Sequence, residues 1–385
     1  MEKENTALGE ITEIASDTEN AKEIAPDTEN AGENVPEIIS ADKGTKLGDY
    51  KKDCLKLGFF LIIIMAIRIL AQGLSPLVGQ LIDSLHITNS NLVYAISLGY
   101  SGLCLQIIPT FIAAFMLKYS LKNLCGGFHP PKQTKKAVAD FPAVYGAGMT
   151  VNLITMSVIF LITRQGSIND SMNSMGIQPP TFEASFILFV MLTVIAPVFE
   201  EFVFRGAVLH FLQPYGNGIA IFVSAFLFGI YHGNFMQFFY ATVLGIALGY
   251  ITVATKSLFC STLLHAMFNS ISGIILIFAS SGPVQKYSTQ RGGADLNDGE
   301  QLVMTFYAIF MILVLLTALV GFLSMIGKIR KIKRFKIPAV WTEITNGKKI
   351  TIMLLTVTVI ISVLLMTDIM GQNYLSEFLT DLINI

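Results

Sequence analysis

The chain has 385 residues, of which 53% are hydrophobic and only 14% charged, with a mean hydropathy of +0.62. Soluble domains carry about a quarter charged residues, so this balance excludes a string of soluble domains and points to an integral membrane protein. The net charge of −1 conceals an acidic start and a basic remainder: residues 1–42 hold twelve Asp/Glu against two Lys.

That acidic start repeats a ten-residue unit, "EIASDTENA" from Glu13 and "EIAPDTENA" from Glu23, decaying to "ENVPEI" from Glu33. Two clean copies are too few for a stacked array. High charge, Pro26 and Pro36, and no aromatic residue before Tyr50 predict a disordered tail over 1–48. The segment lacks the apolar core of a cleaved signal peptide, so the first span is expected to serve as the targeting signal.

A span needs about 20 mostly apolar residues. Such stretches fall near 55–77, 92–117, 138–163, 184–212, 218–233, 235–255, 258–280, 302–326 and 350–370. The fold class expected is all-α, a polytopic transmembrane helical bundle of about eight or nine spans. The fifth is unusually short. Basic loops (Lys43 to Lys56, Lys118 to Lys136, Lys256, and "GKIRKIKRFKIP" from Gly327) alternate with loops poor in Lys and Arg. The positive-inside rule then predicts a cytoplasmic N-terminus and a C-terminus on the other side, most simply in the cell membrane. Cys54, Cys104, Cys125 and Cys260 have no paired spacing and are read as packing residues. His86, His129 and His210 fall in loops or at an interface. "GGFHPPK" at 126–132 is a turn by composition.

The chemistry lies in three apolar segments. Glu200, Glu201 and Arg205 stand within one of them, where a charge is costly. Residues four apart share a helical face, so Glu201 and Arg205 are expected to pair, whereas Glu200 points elsewhere. Phe228 and His232 have the same spacing, and so do His265 and Asn269. The break at Gly233 and Asn234 requires protein or water around it at membrane depth. Together these residues offer a carboxylate base, an imidazole partner, a carboxylate–arginine support and two donors for a developing oxyanion.

The ordered trio "EEFVFR" (200–205), "FGIYH" (228–232) and "HAMFN" (265–269) resembles the CAAX protease and bacteriocin-processing (CPBP, or Abi) family of intramembrane endopeptidases. The likeness covers about 184–270, with Gly206 and "LGIALGY" at 244–250 also matching. It implies a catalytic core over 184–280, flanked by N-terminal spans over 49–183 and C-terminal spans with a basic loop over 281–385. It further implies a CAAX prenyl protease 2-like hydrolase. Glu200 and His232 would activate water, His265 and Asn269 would bind the oxyanion, and Glu201 and Arg205 would hold the site together.

The expected partners are a peptide or membrane-protein substrate and the lipid bilayer, with no nucleic acid. No cofactor is required by this reading. Zinc remains open, since Glu200, His232 and His265 could supply three ligands. Two alternatives stand beside the protease: a non-catalytic membrane binder on the same fold, and a transporter with a proton relay. The acidic tail and the extra apolar stretch near 350–370 depart from the family pattern. Lys256 stands where relatives often have Gly.

Overall fold

Every element among the described residues is helical. The computed structural model describes residues 47–120, 130–163, 181–233, 235–290, 295–332, 345–356 and 360. The repeat-bearing tail, the turn at 126–129, Asn234, the 333–336 part of the basic cluster and nearly all of the stretch beyond 356 lie outside them.

Seven helices are long and apolar enough to cross a membrane. They are α1 (Leu47–Ser84), α2 (Ser90–Met116), α4 (Phe141–Thr163), α5 (Phe182–Tyr215), α7 (Phe235–Thr255), α8 (Leu258–Ala279) and α10 (Asp298–Ile332). A short α3 (Thr134–Ala139) precedes α4, and α9 (Gly282–Thr289) precedes α10. The apolar α6 (Asn217–Tyr231) has only 15 residues, and α11 (Asn346–Leu354) is as far as the chain is described in helical form. Eight of the nine expected spans thus have a helix, and the ninth falls largely outside the described residues.

Several helices outrun the apolar stretches that predict them. α1 begins at Leu47 rather than near 55 and ends at Ser84 rather than near 77. Apolar length reports only the hydrocarbon crossing, whereas intrahelical hydrogen bonds continue into the polar interface. The caps that start helices are local: Asn89, Thr181 and Ser257 each accept a backbone N–H from the following turn.

Large apolar side chains such as Phe115, Leu161, Leu319 and Leu323 are exposed on the outside of the bundle. A soluble monomer does not carry so much apolar surface. Facing lipid, it is in its proper solvent. The protein is an integral, multi-pass membrane protein.

Inside, two apolar cores meet. One joins α1, α2, α5 and α6 through Phe60, Phe204, Val208 and Phe228. The other joins α4, α7 and α8 through Tyr145, Leu248, Leu264 and Phe268. The polar residues of interest lie along the boundary between them. α11 fastens the C-terminal end of α5: the Tyr50 hydroxyl donates to the Lys349 carbonyl at 2.8 Å, and Lys349 Nζ donates to the Tyr215 carbonyl at 2.6 Å. Burial holds the Lys349 ammonium below the ordinary lysine range.

Candidate active site

Two of the helices carry three wide π turns between them. They are Leu103–Ile107 in α2, and Met191–Ile195 and Phe202–Val208 in α5. A π turn widens the helix and disturbs its regular ladder, and such turns favour functional sites. Each accepts a side-chain donor on a carbonyl. Tyr231 donates its hydroxyl to Leu105, Asn269 donates Nδ2 to Leu192 at 2.9 Å, and Ser224 donates its hydroxyl to Phe204 at 2.6 Å. Polar side chains thus tie α6 and α8 to the irregular backbone of α2 and α5, as a low-dielectric interior requires.

The second of these α5 turns carries Arg205. Its Nη1 lies 2.9 Å from Glu201 Oε1, with both side chains sealed from solvent. The guanidinium makes no aligned hydrogen bond among the described residues, so the contact is a close pairing of charges. Its carbon sits 4.3 Å from the centre of the Phe228 ring, a cation–π contact that is strongest when desolvated.

Phe228 is the hub. Its ring meets His232 edge-on at 4.8 Å and His265 edge-on at 5.5 Å. One aromatic residue therefore brings the arginine and both histidines of three separate motifs to one place.

His265 stands between the two carboxylates. Nδ1 is 3.0 Å from Glu201 Oε1, a hydrogen bond, and Nε2 is 3.7 Å from Glu200 Oε2, longer than one. Since a carboxylate only accepts, Nδ1 donates. His232 Nδ1 lies 2.8 Å from the Phe228 carbonyl. Nδ1 donates there too, so that when the ring is neutral Nε2 is its accepting nitrogen.

Exposure separates the two glutamates. Glu200 keeps 11% of its side chain accessible and Glu201 none. His232 and Asn269 are half-buried, whereas Arg205 and His265 are almost completely covered. Glu200, His232 and Asn269 are therefore the members of the three motifs with some access, whereas Glu201, Arg205 and His265 are enclosed. His265 and Asn269 share a face of α8, yet their recorded bonds diverge, one to Glu201 and the other to Leu192. An amide nitrogen has two hydrogens, so Asn269 retains a second donor.

Gln106 is a site residue that motif spacing misses. Its Nε2 donates to Glu200 Oε1 at 3.1 Å from the π turn of α2. The signal for it was a lone amide in the apolar run "LCLQIIP". Arg68, in the middle of α1, was equally legible as a charge inside a span. No three His, Cys, Asp or Glu side chains among the described residues are grouped to hold a metal ion.

Residues 182–271 match the family model described as Type II CAAX prenyl endopeptidase Rce1-like. The match spans α5 to α8, where all three motifs lie, and corresponds to the family that the ordered trio resembles. No curated protein and no solved structure matches the chain. Over these residues the chain is therefore similar to the membrane-helical domain of that family.

Proposed function

We propose that the protein is an intramembrane endopeptidase in which Glu200 and His232 activate a water molecule. The observation that carries this reading is the gathering of His232 and His265 around Phe228, with Glu200 beside His265 as the partly accessible carboxylate of an otherwise sealed polar cluster. A transporter relay has no need for one carboxylate to be exposed beside a shielded carboxylate–arginine pair.

The chemistry follows from the donors and acceptors. Glu200 takes a proton from water while His232 Nε2 accepts the second O–H and orients the oxygen. The oxygen adds to the peptide carbonyl carbon, and negative charge develops on the carbonyl oxygen. Asn269 stabilises that charge through its second amide hydrogen, and His265 does so as the imidazolium, with Nδ1–H on Glu201 and Nε2–H on the oxyanion; one such donor is worth about 10²–10³ in rate. Glu200 then delivers its proton to the leaving nitrogen, the C–N bond breaks, and the carboxylate is restored. Glu201 and Arg205 touch no substrate. They hold His265 and brace Phe228. The reading requires no metal step.

The substrate is proposed to be a membrane-associated or lipid-modified peptide, a prenylated CaaX protein being the class the family description suggests. Basic residues in alternate loops support a cytoplasmic N-terminus in the cell membrane, with the site reached from within the bilayer. The test is membrane proteomics of cells carrying wild type or Glu200→Gln at matched expression, with peptide termini mapped. New C-termini that vanish with the substitution are expected. Unchanged termini together with an intact wild-type phenotype would replace the protease by a non-catalytic binder.

A further inference from the structure

We infer that Arg68, on α1 and outside the Rce1-like segment, is a positioning residue that fixes His232 by clasping the end of α6. This assignment rests on the proposed role of His232, but its main test does not.

A helix end leaves its last carbonyls without intrahelical donors. In lipid they need partners from the protein, because water is absent. α6 ends within the bundle after only 15 residues, and Arg68 supplies the partners. Its Nη1 donates to the Tyr231 carbonyl at 2.5 Å and its Nη2 to the His232 carbonyl at 3.1 Å. The planar fork thus holds two successive carbonyls, and its positive charge complements the negative end of the helix dipole. No carboxylate lies within ion-pair distance of Arg68 among the described residues. The helix end is its nearest counter-charge, and Glu200 acts on it from further away.

The chain around the fork is shaped to admit it. Gly233 has φ +67°, and a Cβ there would lie 2.9 Å from Arg68 Cζ. Glycine provides both the left-handed turn and the space. The two residues whose carbonyls are held also commit their side chains: Tyr231 to the Leu105 carbonyl of α2, and His232 to the Phe228 carbonyl. Arg68 therefore fixes the backbone at the point where the imidazole departs. A merely lipid-facing or solubilising arginine would have no reason to form a fork at this position.

The consequence is that α1 completes the site. A lysine at 68 would keep the charge but offer a point donor in place of the planar fork. The experiment uses the full-length protein in lipid nanodiscs with 15N-labelled histidine. The chain has five histidines, and the His232 signal is identified by its loss in His232→Gln. In Arg68→Lys and Arg68→Met the His232 ring resonances should shift or broaden, while those of His86 and His210 stay in place.

On the peptide identified by terminus mapping, Arg68→Met should lower kcat about 10²-fold with KM nearly unchanged, the loss expected for a misplacement of about 1 Å. Arg68→Lys should recover part of that loss, and millimolar guanidinium should partly rescue Arg68→Ala but not Glu200→Gln. If Arg68→Met fails to fold, Arg68→Lys carries the test. An unshifted His232 signal in a folded Arg68→Lys protein overturns the inference. A shifted signal in the variants, together with a wild type that has no peptidase activity, sustains the clasp and refutes the protease instead.

Discussion

The contact of α4 with α10 and the meeting of α5, α6 and α8 hold helices together in opposite ways. α4 and α10 touch backbone to backbone through glycine. A Cβ on Gly321 would lie 1.8 Å from the Pro142 carbonyl oxygen, and one on Gly146 would lie 2.3 Å from the Phe322 nitrogen. Lipid tails are as apolar as leucine, so close van der Waals approach through small residues must do the holding. α5, α6 and α8 are joined instead by polar side chains on π-turn carbonyls and by charges around Phe228. The first arrangement offers nothing to a reactant. The second keeps donors and acceptors dry, fixed and partly accessible, as hydrolysis in a membrane requires.

This contrast separates stability from rate. Glu200→Gln keeps the shape and removes the base, so activity should fall about 10³-fold. Thermal unfolding in detergent should remain close to wild type, and a folded Glu200→Gln enzyme with full activity would remove Glu200 from the chemistry. Gly321→Leu should do the reverse. It drives a side chain into main chain, and overpacking of that kind costs about 3 kcal/mol or more. The check is loss of monodisperse protein on purification, with any surviving fraction retaining its kcat.

Gln106→Leu probes the border of the two regimes, because it removes one neutral hydrogen bond from the working carboxylate. A lost bond to a charged group is worth about 1.5–3 kcal/mol, so kcat should drop about tenfold or somewhat more. KM should stay near wild type, since Gln106 orients Glu200 without belonging to the reactants. A change confined to KM would assign Gln106 to substrate binding instead.

Much of this division was legible before the fold. Glu201 with Arg205, Phe228 with His232, and His265 with Asn269 follow from the four-residue period once each segment is taken as a helix. Charge in an apolar run marked α5 as the functional helix. What spacing could not reveal is partnership across helices. That Phe228 touches Arg205 and both histidines depends on crossing geometry, and the link between His265 and Glu201 joins residues 64 positions apart. The π turns leave no simple pattern in hydropathy. The short α6 was visible as a deficit of apolar length, but the answer to its unpaired end lay 163 residues earlier at Arg68. Arg68 and Gln106 went unread because the N-terminal helices looked like scaffold. The same rule that singled out Glu200 applied to Arg68.

Lys256 offers the smallest test and a clean one, because it touches neither regime's contacts. It links α7 to α8 with φ +53°, in the left-handed region. A side-chain-bearing residue pays about 1–2 kcal/mol there, a strain that glycine avoids. Lys256→Gly relieves that strain but also loosens the unfolded chain, an opposing effect of about 0.4–1 kcal/mol. The net gain should be under about 1 kcal/mol, read as a small rise in the unfolding midpoint with kcat unchanged. His265 lies two turns and more beyond this junction, on a helix whose start is capped by Ser257 on the Phe259 amide. A fall in kcat would therefore mean that the junction sets the register of α8, and that the strained lysine is part of how His265 reaches Glu201.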